Sequence, residues 1–399
     1  ISPPAVLKPS DLDDKVKHPS ADRPPVADRR PKKASRMSAL LMTGFPGFLG
    51  SALLPKLLAR REGYEAICLV QPQHLATAEK RVAAISDSHP HTAGRISLVT
   101  GDITAAGLGI ASADQDRLAD VREVWHLAAV YDLTVPETIA RRVNVDGTAR
   151  VLDFCRSREH FGRLQYVSTC YVSGNYNGEF PEDGLDEGQT FLNHYESTKF
   201  EAELLVREAM AGGLPATIYR PGIVVGDSTT GETQKYDGPY FLATFMSRQL
   251  KVAVVPAVGD ADKVKVSLVP RDFVINAMDQ LSVLDRSLGR TYALTDPNPP
   301  TSRQLVDTFA KHMGKHVVWV PLPLGITRSL VGSVPGMERL LGLPAEGLDY
   351  FASPTTYSTV NTTTDLQGTG LSCPPFAKYA GRLLDFMKAH PEFDSSAMV

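Results

Sequence analysis

From Ser38 onward, short runs of apolar residues alternate with longer stretches in which apolar residues recur every three or four positions. The runs at 39–42, 66–70, 96–100, 123–127, 164–168 and 217–219 read as buried strands. Helical spacing covers 51–58, 76–85, 137–157 and 194–211, the last stopping at Gly212-Gly213. Strand and helix in regular succession predict a parallel, doubly wound α/β sheet. Such a sheet binds ligands past the carboxyl ends of its strands. Beyond about residue 226 the rhythm breaks. Prolines and glycines become frequent, and helices are expected at 239–249, 302–313 and 378–389. Residues 321–345 mix Leu, Gly and Pro with Arg328, Glu338 and Arg339. They read as a plain packing element, with a lid or membrane-surface helix as the alternative. Residues 1–36 carry seven prolines, many charges and almost no apolar clustering, which predicts a disordered arm.

The chain has 399 residues, 43% hydrophobic and 22% charged, enough to bury a substantial core. The net charge of −3 gives no general attraction to nucleic acid or anionic membranes. Cys68, Cys155, Cys170 and Cys373 are far apart and show no metal-ligand spacing, so neither a metal site nor a disulfide framework is expected. No apolar run is long enough to span a bilayer. A cytoplasmic protein is expected, with peripheral membrane contact left open.

The first stretch that carries chemistry is Thr43-Gly44-Phe45-Pro46-Gly47-Phe48-Leu49-Gly50, between the first strand and the first helix. Gly44 allows a tight turn, Gly47 lets backbone N–H groups approach a pyrophosphate, and Gly50 allows close helix–strand packing. The helix N-terminus then faces the phosphates. The competing reading is an ordinary Gly-rich βα turn. With dinucleotide binding, the chain divides into a Rossmann domain at 37–225 and a smaller mixed substrate domain at 226–399. Segments at about 264–296 return to the first.

The second stretch is Tyr195-Glu196-Ser197-Thr198-Lys199. Tyr195 and Lys199 share one face of a predicted helix. Asn193 can cap that helix, with Glu196 reaching back. A lysine one turn away favours the phenolate and tunes the tyrosine for proton exchange with a carbonyl or alcohol oxygen. Thr169, at the end of the fifth strand, can donate to the same oxygen. Cys170 beside it reads as a packed thiol. The bland alternatives are a half-exposed tyrosine, a solvated lysine and a threonine bonding its own backbone.

These stretches come in a recognisable order. Together with Gly101-Asp102, His126-Leu127-Ala128-Ala129, Asn144-Val145-Asp146-Gly147-Thr148, Val167-Ser168-Thr169-Cys170-Tyr171-Val172 and Arg220-Pro221-Gly222, the sequence resembles the extended short-chain dehydrogenase/reductase superfamily over residues 38 to about 275. Ser-Thr-Cys-Tyr-Val and Arg-Pro-Gly-Ile-Val-Val-Gly-Asp-Ser resemble its male sterility branch, which holds fatty acyl reductases and thioester reductase domains. The resemblance implies that Gly44, Phe45, Gly47, Phe48 and Leu49 hold the pyrophosphate and that Asp102 bonds the adenine edge. It implies that Ala128 and Ala129 line the dinucleotide path, and that Pro221, Gly222 and Ile223 meet the carboxamide. Thr43, Pro46, Ile103, Leu127 and Val167 complete the cofactor set. Thr169, Tyr195 and Lys199 are the implied catalytic triad, with Lys199 and Tyr195 also at the cofactor. Asn144 is included as a possible support for the helix or a relay water, with a buried structural role as its alternative.

Two positions depart from the branch. Its second strand usually ends Leu-Val-Arg, the arginine pairing with the NADP 2′-phosphate; here it ends Leu69-Val70-Gln71. No acidic residue stands there to claim the 2′-hydroxyl of NAD, and Arg81 matches a second position that reaches the phosphate. NADP(H) is favoured, with NAD(H) as the alternative. In Pro270-Arg271-Asp272-Phe273 an arginine replaces the usual small apolar residue. It faces the cofactor phosphates or a carrier's phosphopantetheine, with a surface ion pair as the alternative.

The expected function is NADPH-dependent reduction of a carbonyl, foremost an acyl thioester (fatty acyl-CoA or carrier-bound) to aldehyde or alcohol, as in lipid metabolism. The rivals are a dehydrogenase or epimerase acting on a ketone, a hydroxysteroid-like alcohol or a nucleotide sugar, and a non-catalytic nucleotide-sensing protein. No nucleic-acid partner is expected, and the oligomeric state is left open.

Overall fold

Seven parallel strands form the central sheet, in the spatial order 291–294, 216–221, 163–167, 121–126, 38–43, 64–70 and 96–100. The computed structural model describes residues 37–132, 135–257, 259–321 and 353–393. The expected arm at 1–36 and the stretch at 322–345 lie outside the described residues. In chain order, β1 (Ser38–Thr43), α1 (Phe48–Arg60), β2 (Tyr64–Val70), α2 (Leu75–Ser88), β3 (Ile96–Thr100) and β4 (Val121–His126) build one half of the sheet. Next come α3 (Glu137–Ala140), α4 (Gly147–Arg156), β5 (Arg163–Val167), β6 (Gly178–Phe180), α5 (His194–Ala211) and β7 (Ala216–Pro221). The remainder comprises β8 (Ile223–Val225), α6 (Pro239–Ser247), β9 (Val252–Ala257), β10 (Leu268–Pro270), α7 (Arg271–Ser282), β11 (Thr291–Leu294), α8 (Ser302–Met313), β12 (His316–Pro321), β13 (Thr355–Tyr357), α9 (Val360–Leu366) and α10 (Phe376–Ala389).

Both faces of the sheet are covered, which is why its strands are mostly apolar rather than strictly alternating. Leu40 and Met42 point to the side packed by α1, α2 and α7. Their neighbours Ala39 and Leu41 point to the side packed by α4 and α5. A third apolar cluster joins α6, β9, α8 and α10. The six strands expected from the sequence are all present. The seventh, β11, has only four residues, too short for its apolar content to stand out from the surrounding loops.

The strand order reverses direction between β1 and β4, so the sheet opens a crevice past their carboxyl ends. The expected long helix at 137–157 is interrupted there. Arg141–Asp146 forms a π-helical turn between α3 and α4, with Asn144 buried inside it. Such turns bulge one residue out of register and recur at functional sites. Among the described residues no helix is long and apolar enough to cross a membrane.

Candidate active site

The glycine-rich turn is built by close approach. Gly44 has φ +84°, and a Cβ there would lie 2.8 Å from the Ala128 nitrogen. A Cβ on Gly47 would meet the Gly44 carbonyl oxygen at 2.8 Å, and one on Gly50 would meet it at 2.9 Å. Gly47 N–H donates to that same oxygen at 3.0 Å. The Gly47 N–H therefore serves the turn itself. The first helical bond of α1 runs from Ser51 N–H to the Gly47 carbonyl, so Phe48, Leu49 and Gly50 carry the amides of the open first turn. No acidic side chain stands in that turn. The cradle fits a dinucleotide phosphate: it offers amides, a helix N-terminus and no competing carboxylate.

Thr43 fixes this turn to the end of β4. Its Oγ1 accepts from Ala128 N–H at 3.2 Å and lies 2.7 Å from His126 Nδ1. On the other side of the ring, His126 Nε2 lies 3.0 Å from Thr148 Oγ1. The Thr148 hydroxyl donates to the Asn144 carbonyl at 2.6 Å, so its oxygen must accept from His126. That assigns the Nε2–H tautomer and leaves Nδ1 to accept from Thr43. Burial, with the Lys199 charge adding to it, holds His126 neutral by lowering its pKa to about 3.

Asn193 caps α5 by accepting from Glu196 N–H at 3.0 Å. Glu196 reaches back one residue further than expected, accepting from Leu192 N–H at 2.9 Å. The cap fixes the first turn of α5, which presents Tyr195 and Lys199. Lys199 is buried; its Nζ donates to the Val167 carbonyl at 2.9 Å and to Tyr166 OH at 3.2 Å. Asn144 braces the same helix. Its Nδ2 donates to Thr198 Oγ1 and to the Val130 carbonyl, both at 3.0 Å, and its Oδ1 accepts from Val130 N–H at 2.9 Å. These contacts tie the π-helical turn to the loop after β4 and to α5.

Thr169 stands at the end of β5, buried, with its hydroxyl near enough to Tyr195 to ease ionisation of the phenol. Its Oγ1 also accepts from Tyr171 N–H at 3.3 Å. Tyr195 departs from the expected tuning. Burial, the dominant effect, raises its pKa to about 12; the Thr169 hydroxyl opposes the rise, and Glu196, Cys170 and Tyr131 add to it. Lys199 is not what sets this value, because its ammonium is turned to Val167 and Tyr166. Burial lowers Lys199 to about 8, with Glu203 opposing the shift. Cys170 is buried, its thiol donates to the Arg220 carbonyl at 3.0 Å, and burial raises its pKa, as suits a packed thiol.

The remaining expected cofactor residues are spread over several elements. Phe45 is buried under the turn, with Pro46 half-buried beside it. Gln71 follows β2 and accepts from Gln73 at 2.9 Å, while Arg81 is half-buried on α2. Asp102 Oδ1 accepts from Thr104 N–H at 2.7 Å, and Ile103 packs against Gly147. Leu127, Ala128 and Ala129 lie half-buried past β4. Pro221 ends β7, Gly222 N–H donates to the Leu294 carbonyl at 3.2 Å, and Ile223 opens β8.

Sequence reasoning did not single out the polar support beside Thr169 and Lys199. Glu203, fully buried on α5, accepts from Ser168 Oγ at 2.6 Å and from Arg220 at 2.6 and 3.0 Å. Arg207 adds a fourth contact at 3.0 Å. Burial alone would raise the Glu203 carboxyl; Arg220, Arg207 and Ser168 outweigh it and hold the pKa below its ordinary value. The signal was present in the spacing, because Lys199 and Glu203 are four apart on one helix face.

Residues 42–278, more than half of the chain, match the family model described as male sterility protein. The chain belongs to the male sterility protein family. The family match and the sheet topology place it among proteins built on an NAD(P)-binding Rossmann fold. Among solved structures, the terminal R domain from the myxalamid PKS-NRPS biosynthetic pathway is 29% identical, with a TM-score of 0.76 over 90% of this chain and 92% of that one. Nonribosomal peptide synthetase asaC of Aspergillus flavus is 27% identical over 277 residues, 65% of this chain and 26% of that protein. Fatty acyl-CoA reductase wat of Drosophila melanogaster is 27% identical over 278 residues, 60% of this chain and 53% of that protein. This male sterility family chain thus spans only part of the length of these two relatives.

Proposed function

We propose that this chain reduces the carbonyl of an acyl thioester with NADPH, releasing an aldehyde that a second reduction takes to the alcohol. The observation that carries this reading is the Thr169–Tyr195 pair at the carboxyl edge of the sheet, beside a phosphate cradle, in a chain similar to reductase domains of synthetases. Residues 37–225 hold the dinucleotide, and the part beyond 226 forms the acyl side. Ala128 and Ala129 would line the path of a reduced dinucleotide, which would supply a hydride for the carbonyl carbon. Tyr195, protonated well past neutrality, gives its proton to the carbonyl oxygen. Thr169 donates to the phenolate oxygen left behind. Lys199, anchored to Val167 and Tyr166, keeps positive charge near the reacting oxygen and holds the ribose. The hemithioacetal then returns its hydroxyl proton to the Tyr195 phenolate as its C–S bond breaks; the thiolate leaves and takes a proton from solvent, and the aldehyde remains.

Arg81 supports NADPH over NADH, because Gln71 offers the 2′-phosphate no charge. The test is to mix the protein with NADPH or NADH and a medium- or long-chain acyl-CoA, follow the reduced cofactor and trap aldehyde. Consumption of NADPH in preference to NADH, with aldehyde or alcohol formed, is the expected result. Tight NADPH binding without consumption, on acyl-CoA and carrier-bound acyl groups alike, would remove the thioester reading.

A further inference from the structure

Arg271 is expensive where it stands. It is the first residue of α7, where a helix disfavours a cation. Its side chain is only 9% exposed. Its Nε is buried with no hydrogen-bond partner among the described residues. The nearest acids are at ion-pair rather than hydrogen-bond range: Glu232 Oε2 at 3.5 Å and Asp227 Oδ2 at 4.0 Å. Asp227 Oδ1 is already taken by Thr229 and Thr230, and the Asp272 carboxylate by Ser228. A buried guanidinium normally uses its planar fork on a carboxylate or phosphate. Here the fork is incompletely used, while its carbon lies 4.9 Å from the ring centre of Phe48. Phe48 opens α1 and belongs to the phosphate cradle. The family's apolar residue at this position could not act on charge at all.

We propose that Arg271 is an additional phosphate-binding residue of this chain's dinucleotide site, exchanging its loose pairing with Glu232 for the cofactor pyrophosphate. This rests on the dinucleotide reading of the cradle. Two negative oxygens brought to the α1 N-terminus meet a cation held over the Phe48 ring. Glu232, 54% exposed, returns to water when it is displaced. The acid is thus a placeholder that keeps Arg271 in position in the free protein and competes with the cofactor.

The test is direct binding of NADPH, ADP-ribose and coenzyme A by calorimetry to the wild type, Arg271→Val and Glu232→Gln. Arg271→Val is expected to weaken NADPH and ADP-ribose alike by roughly tenfold or more, the loss of a charge-assisted hydrogen bond. Glu232→Gln, at an exposed side chain that folding does not depend on, is expected to tighten both severalfold, and to do so only while Arg271 is present. Unchanged affinities in both variants would overturn the proposal and leave Arg271 as an ion-pair brace. A loss confined to coenzyme A would overturn it too, assigning the cation to the pantetheine-side phosphates. A wild type that holds neither NADPH nor ADP-ribose would overturn the dinucleotide reading and the proposal with it.

Discussion

Tyr195→Phe is expected to cut turnover of an acyl thioester by about 10²–10⁴-fold, the range for losing a positioned acid. Dinucleotide affinity is expected to survive, since the phenol's structural partner is Thr169 and the cradle lies on another element. Calorimetric binding beside single-turnover kinetics separates the two. The pH profile carries a second signature. Tyr195 stays protonated up to about 12 and so does not limit reduction near neutrality. Lys199 does, because burial brings its pKa to about 8. It is cationic below that value and neutral above it, so kcat/KM should be level on the acid side and fall as the pH rises through about 8. A profile that instead rose through that range would mean that phenolate, not phenol, is the working form.

Glu203→Ala is expected to cost about 3–5 kcal/mol, because it leaves the Arg220 guanidinium buried without its partner. The melting temperature should drop by roughly 10 °C on that basis. Arg220 is 1% exposed and its other contacts are the carbonyls of Pro181, Glu182 and Gly184, none of which carries charge. Glu203→Gln should lose less, since an amide still accepts from Ser168. The linkage with pH has a definite sign. The Glu203 carboxyl is held below its ordinary value of 4.5, so its contribution is present above that pH and is lost as the pH falls through the folded value. The stability gap between wild type and Glu203→Ala, read by denaturant titration, should be widest near neutrality and close under acid. Glu182, whose carboxyl burial raises, acts in the opposite sense but is present in both proteins and cancels in the difference.

The sheet was legible because its strands are buried on both faces and therefore stand out as apolar runs, Leu164–Val167 no less than Ala66–Val70. The glycine-rich turn was legible because three glycines at fixed spacing between a strand and a helix match the close backbone approaches found there. What the sequence could not carry was anything set by three-dimensional proximity. The π-helical turn at Arg141–Asp146 looks like ordinary helix in one dimension, yet it buries Asn144 against Val130 and Thr198. The spacing of Tyr195 and Lys199 suggested a lysine that tunes the tyrosine; the structure turns that ammonium toward Val167 and Tyr166 instead. Glu203 and Arg220 are seventeen residues apart and join only when α5 lies on the end of β7. Arg271 could be noticed as a departure from the family pattern, but its contact with Phe48 depends on α7 packing beside α1.

The measurement that tests the central claim most directly is the fate of the transferred hydrogen. NADPH deuterated at the nicotinamide C4 position would be given to the protein with an acyl-CoA, and the trapped product analysed by mass spectrometry. The account predicts one deuterium on the former thioester carbon of the aldehyde, and a second if the alcohol forms. An unlabelled aldehyde, or free acid released without consumption of cofactor, would contradict it.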